Sequence, residues 1–382
     1  MPHGDSDTAL ITYHLPISMP MNGRKIYENI VLLPLSKVYG AGVAMRNFMF
    51  KCGVLRQREF DIPIVVVGNI AAGGTGKTPH TEYVIDALRY RYRIGVVSRG
   101  YKRKTHGFVL ASKRSTPLDI GDEPYQMYQK FGDLVRIAVC EDRCQAIDEL
   151  LKIDPAINLI VLDDAFQHRY VKPTVSIVLT EFSRPFFFDR LLPLGRLRES
   201  PNAIDRADMV VVTKCPNNVK PIEYRIFTKN FGLFPCQNLY FSRYNYGGLV
   251  PLFPDQSTYT PYIDMMTEDD TILALCGIGN PKPFFNHLKS GKAHVKSIIF
   301  PDHHNFTRRD IDNITKRFNE LPDGNKYIIT TEKDAVRLSN NPYFPHALKP
   351  HIYYLPVMVS FDKATSSTFA DDLVKLIRQS GH

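Results

Sequence analysis

Residues Gly68 to Pro79 read Gly-Asn-Ile-Ala-Ala-Gly-Gly-Thr-Gly-Lys-Thr-Pro, directly after the apolar run Ile62-Pro63-Ile64-Val65-Val66-Val67 and before a helix-forming stretch. Strand, glycine-rich loop and helix in this order make a phosphate-binding junction, and a nucleoside triphosphate is its expected ligand. Gly73, Gly74 and Gly76, with Ala72 and Thr75 between and beside them, let the backbone turn its N–H groups around the phosphates. Lys77 reaches the terminal phosphates, and the Thr78 hydroxyl is placed to ligate magnesium. The positive end of the helix dipole adds to the same point. The strict pattern has glycine where this chain has Ala71; the preceding strand and the Gly-Lys-Thr triplet supply the context that the single departure weakens.

The chain has 382 residues and 44% hydrophobic content, enough for about two domains with a substantial core. No run approaches the roughly 18 to 20 uninterrupted apolar residues of a spanning helix, and the N-terminus lacks a basic segment followed by an apolar core and a cleavage site. Six cysteines without a Cys-x-x-Cys pair fit a reducing compartment. A net charge of +9 favours an anionic partner: a nucleotide, a phosphorylated substrate, an anionic membrane or nucleic acid.

Residues 1–23 carry no periodicity and read as a disordered extension. Residues 24–58 differ, with Ile30, Leu33, Leu35, Val38, Phe48 and Phe50 among their apolar residues and Lys25, Lys37, Arg46, Lys51, Arg56 and Arg58 interspersed. They read as one or two basic amphipathic helices, broken near Pro34. The apolar face either rests in the interface of an anionic membrane or packs on the domain that follows. From Ile62 onward, Val- and Ile-rich runs at Arg93–Ser98, Val135–Cys140, Asn158–Asp163, Val175–Leu179 and Met209–Thr213 alternate with helical stretches. This predicts a P-loop-type α/β core over residues 59–215, a doubly wound and mainly parallel sheet. After Pro216 the composition shifts to aromatic and proline-containing loops through Asp270. Strands at Ile272–Cys276, Val295–Phe300, Tyr327–Thr331 and Ile352–Val357 then predict a second, smaller α/β domain within 216–382, with exchange of core strands between the two domains left open.

Asn158 to Asp164 reads Asn-Leu-Ile-Val-Leu-Asp-Asp, an apolar strand ending in two carboxylates. At the carboxyl end of a strand these can hold a metal or its water shell beside Thr78. Val212-Thr213-Lys214-Cys215-Pro216 is close to the guanine-reading Asn-Lys-x-Asp, but Pro216 supplies no acceptor for the guanine N–H groups, so ATP is the expected nucleotide. Further polar clusters stand at Ser98 to Lys104, Gly121-Asp122-Glu123, Phe166 to Arg169, Leu192 to Glu199 and Phe300 to Phe306. A histidine beside an aspartate among them could accept the proton of a hydroxyl nucleophile.

The loop Gly68 to Pro79, Ser98 to Arg103, Gly121-Asp122-Glu123, Asp163-Asp164-Ala165-Phe166-Gln167-His168, Leu192 to Glu199, Thr213-Lys214, Phe300 to His303 and Thr331-Glu332-Lys333-Asp334 occur in the order and spacing of the tetraacyldisaccharide 4′-kinases of lipid A synthesis. The chain resembles that family from about Ile30 to its C-terminal region. The resemblance implies transfer of the ATP γ-phosphoryl group to the 4′-hydroxyl of a tetraacylated glucosamine disaccharide 1-phosphate, with Mg2+, at the cytoplasmic face of the inner membrane. It turns the basic amphipathic segment into a peripheral, monotopic anchor on an anionic surface. By similarity Lys77 and Thr78 bind phosphate and magnesium, while Asp163, Asp164 and Glu199 organise the metal. Asp122 with His303 takes the hydroxyl proton, His304 being the neighbouring alternative. Arg99, Arg103, His168 and Arg198 hold phosphates or the acidic lipid head group, and the Thr331 to Asp334 turn lies near the adenine. Ala165 and Ser200 depart from the glycine and proline usual in the family. No obligate protein partner is expected. The residues themselves also admit an ATPase that serves as a nucleotide-dependent switch and recruits a partner. A nucleic-acid ATPase is disfavoured, because no recognisable nucleic-acid module accompanies the basic Tyr101 to Lys104 stretch.

Overall fold

Strand β1 (Ile64–Asn69) is the axis of the computed structural model, which describes residues 23–257, 259–302, 304–362 and 368–379. All six residues of β1 are buried. Ile64 and Val66 face one apolar core while Val65 and Val67 face another, so both faces of the sheet are covered, as a continuous Ile/Val run requires.

Ahead of β1 stands α1 (Gly23–Lys51). After it come α2 (Lys77–Leu88), β2 (Ile94–Ser98), β3 (Val109–Leu110), α3 (Pro117–Ile120), α4 (Asp122–Phe131), β4 (Arg136–Val139), α5 (Arg143–Ile153), β5 (Leu159–Asp163), β6 (Val175–Glu181) and β7 (Met209–Thr213). The chain continues through α6 (Pro221–Phe231), β8 (Asn238–Tyr246), β9 (Val250–Pro251), β10 (Asp270–Cys276), α7 (Lys282–Leu288), β11 (His294–Ile299) and α8 (Arg308–Asn319). It closes with β12 (Asn325–Thr331), α9 (Glu332–Ser339), β13 (Ile352–Leu355), β14 (Val357–Phe361) and α10 (Phe369–Gln379).

The larger sheet has nine strands in the order β14-β8-β7-β6-β1-β5-β2-β4-β3. Every pairing from β8 to β4 is parallel, and β14 and β3 close the two edges antiparallel. This is the doubly wound α/β architecture expected, with β1 at the switch point where ligands bind such sheets. The smaller sheet has the order β11-β10-β12-β13-β9, parallel except at β9. Its own two cores lie on either side of β10: Ile272, Ala274 and Cys276 on one face, Leu273 and Leu275 on the other.

Within residues 216–382 the strands divide between the sheets, since β8 and β14 pair with the larger one and residues 250–355 hold the smaller. The two sheets meet in an antiparallel ribbon, with Val357 opposite Tyr246 on the larger and Tyr354 opposite Val250 on the smaller. The segment Asn238–Tyr246, read above as loop, is a nine-residue strand.

Helix α1 corrects a second reading, for it runs unbroken through Pro34. A proline inside a helix removes one N–H donor, and long-range bonds from the side chains of α1 to the body hold the rest of the helix in place. Among the described residues no helix is long and apolar enough to cross a membrane. Residues 1–22, taken above as a disordered extension, lie outside the described residues.

Candidate functional site

The loop after β1 leads into α2 through Gly76, whose φ of 92° is open to glycine and strained for other residues. A Cβ there would lie 2.0 Å from the Tyr244 hydroxyl oxygen of β8, so glycine is needed for space as well. Ala71, the departure from the strict pattern, does not adopt a positive φ; it forms an antiparallel bridge with Leu197. Backbone bonds fix the two sides of this bridge, from Ala72 N to Arg196 O at 2.7 Å and from Arg198 N to Ile70 O at 2.8 Å. The loop is thus sewn to the Leu192 to Glu199 segment.

From below, the loop is held by polar groups, most of them buried. Asn69 Nδ2 donates to Thr75 Oγ1 at 2.7 Å, Thr213 Oγ1 donates to Thr75 O at 2.8 Å, and Lys214 Nζ donates to Gly74 O at 2.6 Å and to Glu181 at 3.2 Å. His80 spans Gly76 O at 2.7 Å and Ser242 Oγ at 2.8 Å. Burial drives its pKa down to about 4, so the ring is neutral, with one nitrogen donating to Gly76 O and the other accepting from Ser242. No side chain caps α2. Its first-turn N–H groups, which lack intrahelical acceptors, therefore face the loop, with the positive dipole end behind them.

Two carboxylates stand beside this cradle. The register Val67↔Asp163 sets Asp163 at the base of the loop, where Oδ1 accepts from Thr81 at 2.8 Å and Oδ2 from Ser98 at 3.4 Å. Burial first, and the charge of Asp164 second, push the Asp163 carboxyl up to about 6, against the pull of Thr81 and Lys77. Asp164 sits at φ 46°, a conformation seldom taken by residues other than glycine, asparagine and aspartate. It meets Lys77 Nζ at 3.8 Å and Arg198 Nη1 at 3.2 Å. The donors here are hard oxygens, and a buried carboxylate whose pKa is raised by burial and a like charge gains from a neighbouring cation. The group therefore fits magnesium.

Lys77, Asp163, Asp164 and Arg198 thus come together, with Thr78 next to Lys77 in the first turn of α2. Glu199 is turned elsewhere. Its carboxylate accepts from Arg206 Nη1 at 2.9 Å, Arg206 Nη2 at 3.1 Å and Asn47 Nδ2 at 2.9 Å, with only 2% of the residue exposed. Those bonds occupy both oxygens and tie the loop to α1. Arg103 is likewise committed, donating to Glu141 at 2.7 Å and Gly107 O at 2.6 Å from a buried side chain. Arg99 and His168 lie toward the start of α5, where Arg99 bears on the charges of Arg143 and His168.

Asp122 opens α4 and pairs with Arg337 of α9, which brings the smaller sheet against the larger. Lys333 lies within reach of the charges of Glu123, Asp302 and Asp122, and Glu123 in turn bears on Asp163. The proposed partner His303 lies outside the described residues. His304 is engaged otherwise: its Nε2 meets Asp310 at 2.9 Å and its ring stacks on Phe300 at 4.9 Å. In the Thr331 to Asp334 turn, the Thr331 hydroxyl and the Asp334 carboxylate bond to each other. Arg337 escaped the sequence reading because its partner is 215 residues away and no local pattern connects them. Thr213 and Lys214 were legible as a remnant of a base-reading motif, but their grip on the loop carbonyls was not.

The profile of the tetraacyldisaccharide-1-P 4′-kinase family matches residues 28–377. The tetraacyldisaccharide 4′-kinase of Bacteroides thetaiotaomicron is 47% identical over 355 residues, covering 91% of this chain and 93% of the relative. That of Phocaeicola vulgatus is 46% identical over 361 residues, covering 94% and 98%, and that of Flavobacterium johnsoniae 42% over 335 residues, covering 87% and 92%. A crystal structure of LpxK from Aquifex aeolicus in complex with ATP superposes with a TM-score of 0.69 at 26% identity, covering 92% of this chain and 98% of that one.

Proposed function

The chain belongs to the tetraacyldisaccharide-1-P 4′-kinase family, and from that premise we infer that it transfers the ATP γ-phosphoryl group to the 4′-hydroxyl of tetraacyldisaccharide 1-phosphate, giving lipid IVA in lipid A biosynthesis. The observation that carries the reading is the uncapped start of α2 beside Lys77, Asp163 and Asp164, a cradle of N–H groups and a cation with two carboxylates alongside.

In this reading the loop from Ala72 to Thr78 wraps the phosphates, and Lys77 meets the charge that grows on the β–γ bridge as the bond from the γ-phosphorus to the leaving oxygen breaks. Thr78, Asp163 and Asp164 would hold Mg2+, which neutralises charge on the phosphate oxygens. Glu199 is left to bind Arg206. Arg198, already on Asp164, also faces the transferred group. Asp122, held in place by Arg337, works with His303 to take the proton from the 4′-hydroxyl as its oxygen bonds to phosphorus. Arg99 lines the side toward α5 and contacts the acidic head group. Arg103 supports that side through Glu141.

The orientation of α1 supports a peripheral membrane role. Its polar residues point inward: Ser36 Oγ donates to Leu191 O at 3.0 Å, Tyr39 to Arg198 O at 2.9 Å and Arg46 to Gln167 O at 2.9 Å. Its apolar residues point outward, with Val38 71%, Met45 66% and Phe48 64% exposed. An outward apolar face with the exposed Lys37 and Lys51 on the same helix suits the interface of an anionic leaflet. The acylated substrate of the family supports the reading that the chain works peripherally at the cytoplasmic face of the inner membrane.

Purified protein incubated with γ-labelled ATP, magnesium and detergent-dispersed tetraacyldisaccharide 1-phosphate should place label in the lipid, and Lys77→Ala should not. ATP hydrolysis without labelled lipid would remove the lipid kinase reading. Co-sedimentation with anionic vesicles should fall at least tenfold on combining Val38→Asp with Phe48→Asp, and unchanged sedimentation would refute the role of α1.

A further inference from the structure

On the far side of the segment that follows Asp164, three side chains of different chemistry converge. Asp142, Cys144 and His168 each offer one ligating atom, and these atoms all lie within 4.8 Å of one another. They line a cavity of about 460 Å³ together with Arg56, Arg58, Glu141 and Tyr170. We propose that Asp142, Cys144 and His168 form a binding site for a borderline divalent cation of the zinc type, separate from the magnesium and nucleotide site.

The donor set selects the ion. A thiolate, an imidazole and a carboxylate are the ligands of Zn2+, whereas magnesium takes oxygen and keeps its waters. Tetrahedral zinc bonds of about 2.0–2.3 Å put ligand atoms about 3.5 Å apart. From within 4.8 Å of one another the three atoms would draw together by about 1 Å around the ion, and the cavity leaves the fourth position to water.

Each ligand has capacity to spare. Asp142 caps α5 through one oxygen, Oδ1, which accepts from the N–H groups of Cys144 and Gln145; Oδ2 makes no hydrogen bond to a described residue. His168 Nε2 is buried without a hydrogen-bond partner, an arrangement that costs free energy unless a ligand completes it. Cys144 is half-buried, and its thiol makes only a long contact of 3.8 Å to Tyr170 O. Of the cations around it, Arg58 is paired with Asp148 at 2.6 and 2.8 Å and Arg143 donates to Glu141 O at 3.0 Å. A metal here would pin residues 164–170, which carry Asp164 and Gln167, to the start of α5.

The test uses Co2+ as a spectroscopic probe on the full, reduced chain. One equivalent should produce a thiolate-to-cobalt charge-transfer band with tetrahedral ligand-field intensity, and Zn2+ should displace it. Cys144→Ser should abolish the charge-transfer band, while Cys52→Ser and Cys236→Ser should leave it intact. Asp142→Asn keeps a good helix cap and should weaken cobalt binding at least tenfold. Absence of the band at stoichiometric Co2+, or a band that survives Cys144→Ser, would overturn the site. Neither result depends on kinase turnover.

Discussion

At the end of β12, α9 begins under a cap of its own. Thr331 Oγ1 accepts from Asp334 N at 3.2 Å and donates to the Asp334 carboxylate at 2.7 Å, and that carboxylate also accepts from Gly277 N at 2.8 Å. At the end of β1, α2 begins at Gly76 with no side-chain cap, and the nearest carboxylates, Asp163 and Asp164, stand to the side. Both are helix N-termini at the carboxyl edge of a parallel strand, with the same dipole. One junction supplies its own anion from within the chain and is closed; the other withholds it and is open to phosphate. What separates a binding junction from a structural one here is which donors are left without an acceptor.

The contrast can be broken first at its strongest point. Lys77→Ala removes the cation that opens α2 at this junction, and turnover with lipid acceptor should fall on the order of 10³-fold while the melting temperature holds. A fall of less than tenfold would mean that the cradle works without it. At the closed junction the expected effect is on stability: Asp334→Ala leaves the buried Gly277 N–H without an acceptor and should cost about 2 kcal/mol in denaturant unfolding. A neutral result would show that the self-supplied anion is dispensable.

A pH experiment sharpens the comparison one residue away. Glu332, the first residue of α9, shares Lys130 with Glu82 of α2. Burial first, then the Glu82 carboxylate, push the Glu332 carboxyl up from 4.5 to about 7. The unfolded chain releases that proton near 4.5, so the stability it confers is complete below pH 4.5 and is lost as the pH rises toward 7. Glu332→Gln should therefore be more stable than the wild type above pH 7, by about 1–2 kcal/mol, and converge with it near pH 4.5. Curves that stay parallel across that window would rule out the titration. The smallest effect belongs to the loop's support: Lys214→Ala, which frees Gly74 O, should raise the KM for ATP several-fold, or about 1 kcal/mol, and move kcat little.

The larger sheet was largely legible because its strands are buried on both faces and so read as unbroken Val/Ile runs. β8 was not: Asn-Leu-Tyr-Phe-Ser-Arg-Tyr-Asn-Tyr mixes polar and aromatic residues, since half of it serves the ribbon between the sheets. Within the site, Lys77, Thr78, Asp163 and Asp164 could be named because a strand end and the loop after it hold them together in sequence. Glu199, Arg103 and Arg337 could not be placed. Glu199 meets Asn47 152 residues away, Arg103 meets Glu141 38 away and Arg337 meets Asp122 215 away, and a charged residue in a loop does not announce whether it will meet a substrate or another side chain.

The antiparallel ribbon has a consequence for how such a chain can change. Because residues 250–355 depart from β8 and return into β14, and those strands pair with Tyr246 opposite Val357, the whole smaller unit occupies the place of a hairpin turn. A change in its length leaves the Tyr246–Val357 pairing to set the register of the larger sheet, while its contents answer to the contact of Arg337 with Asp122. In design terms it is a cassette with two adjacent ports, and the nucleotide-binding half is the chassis into which it is plugged.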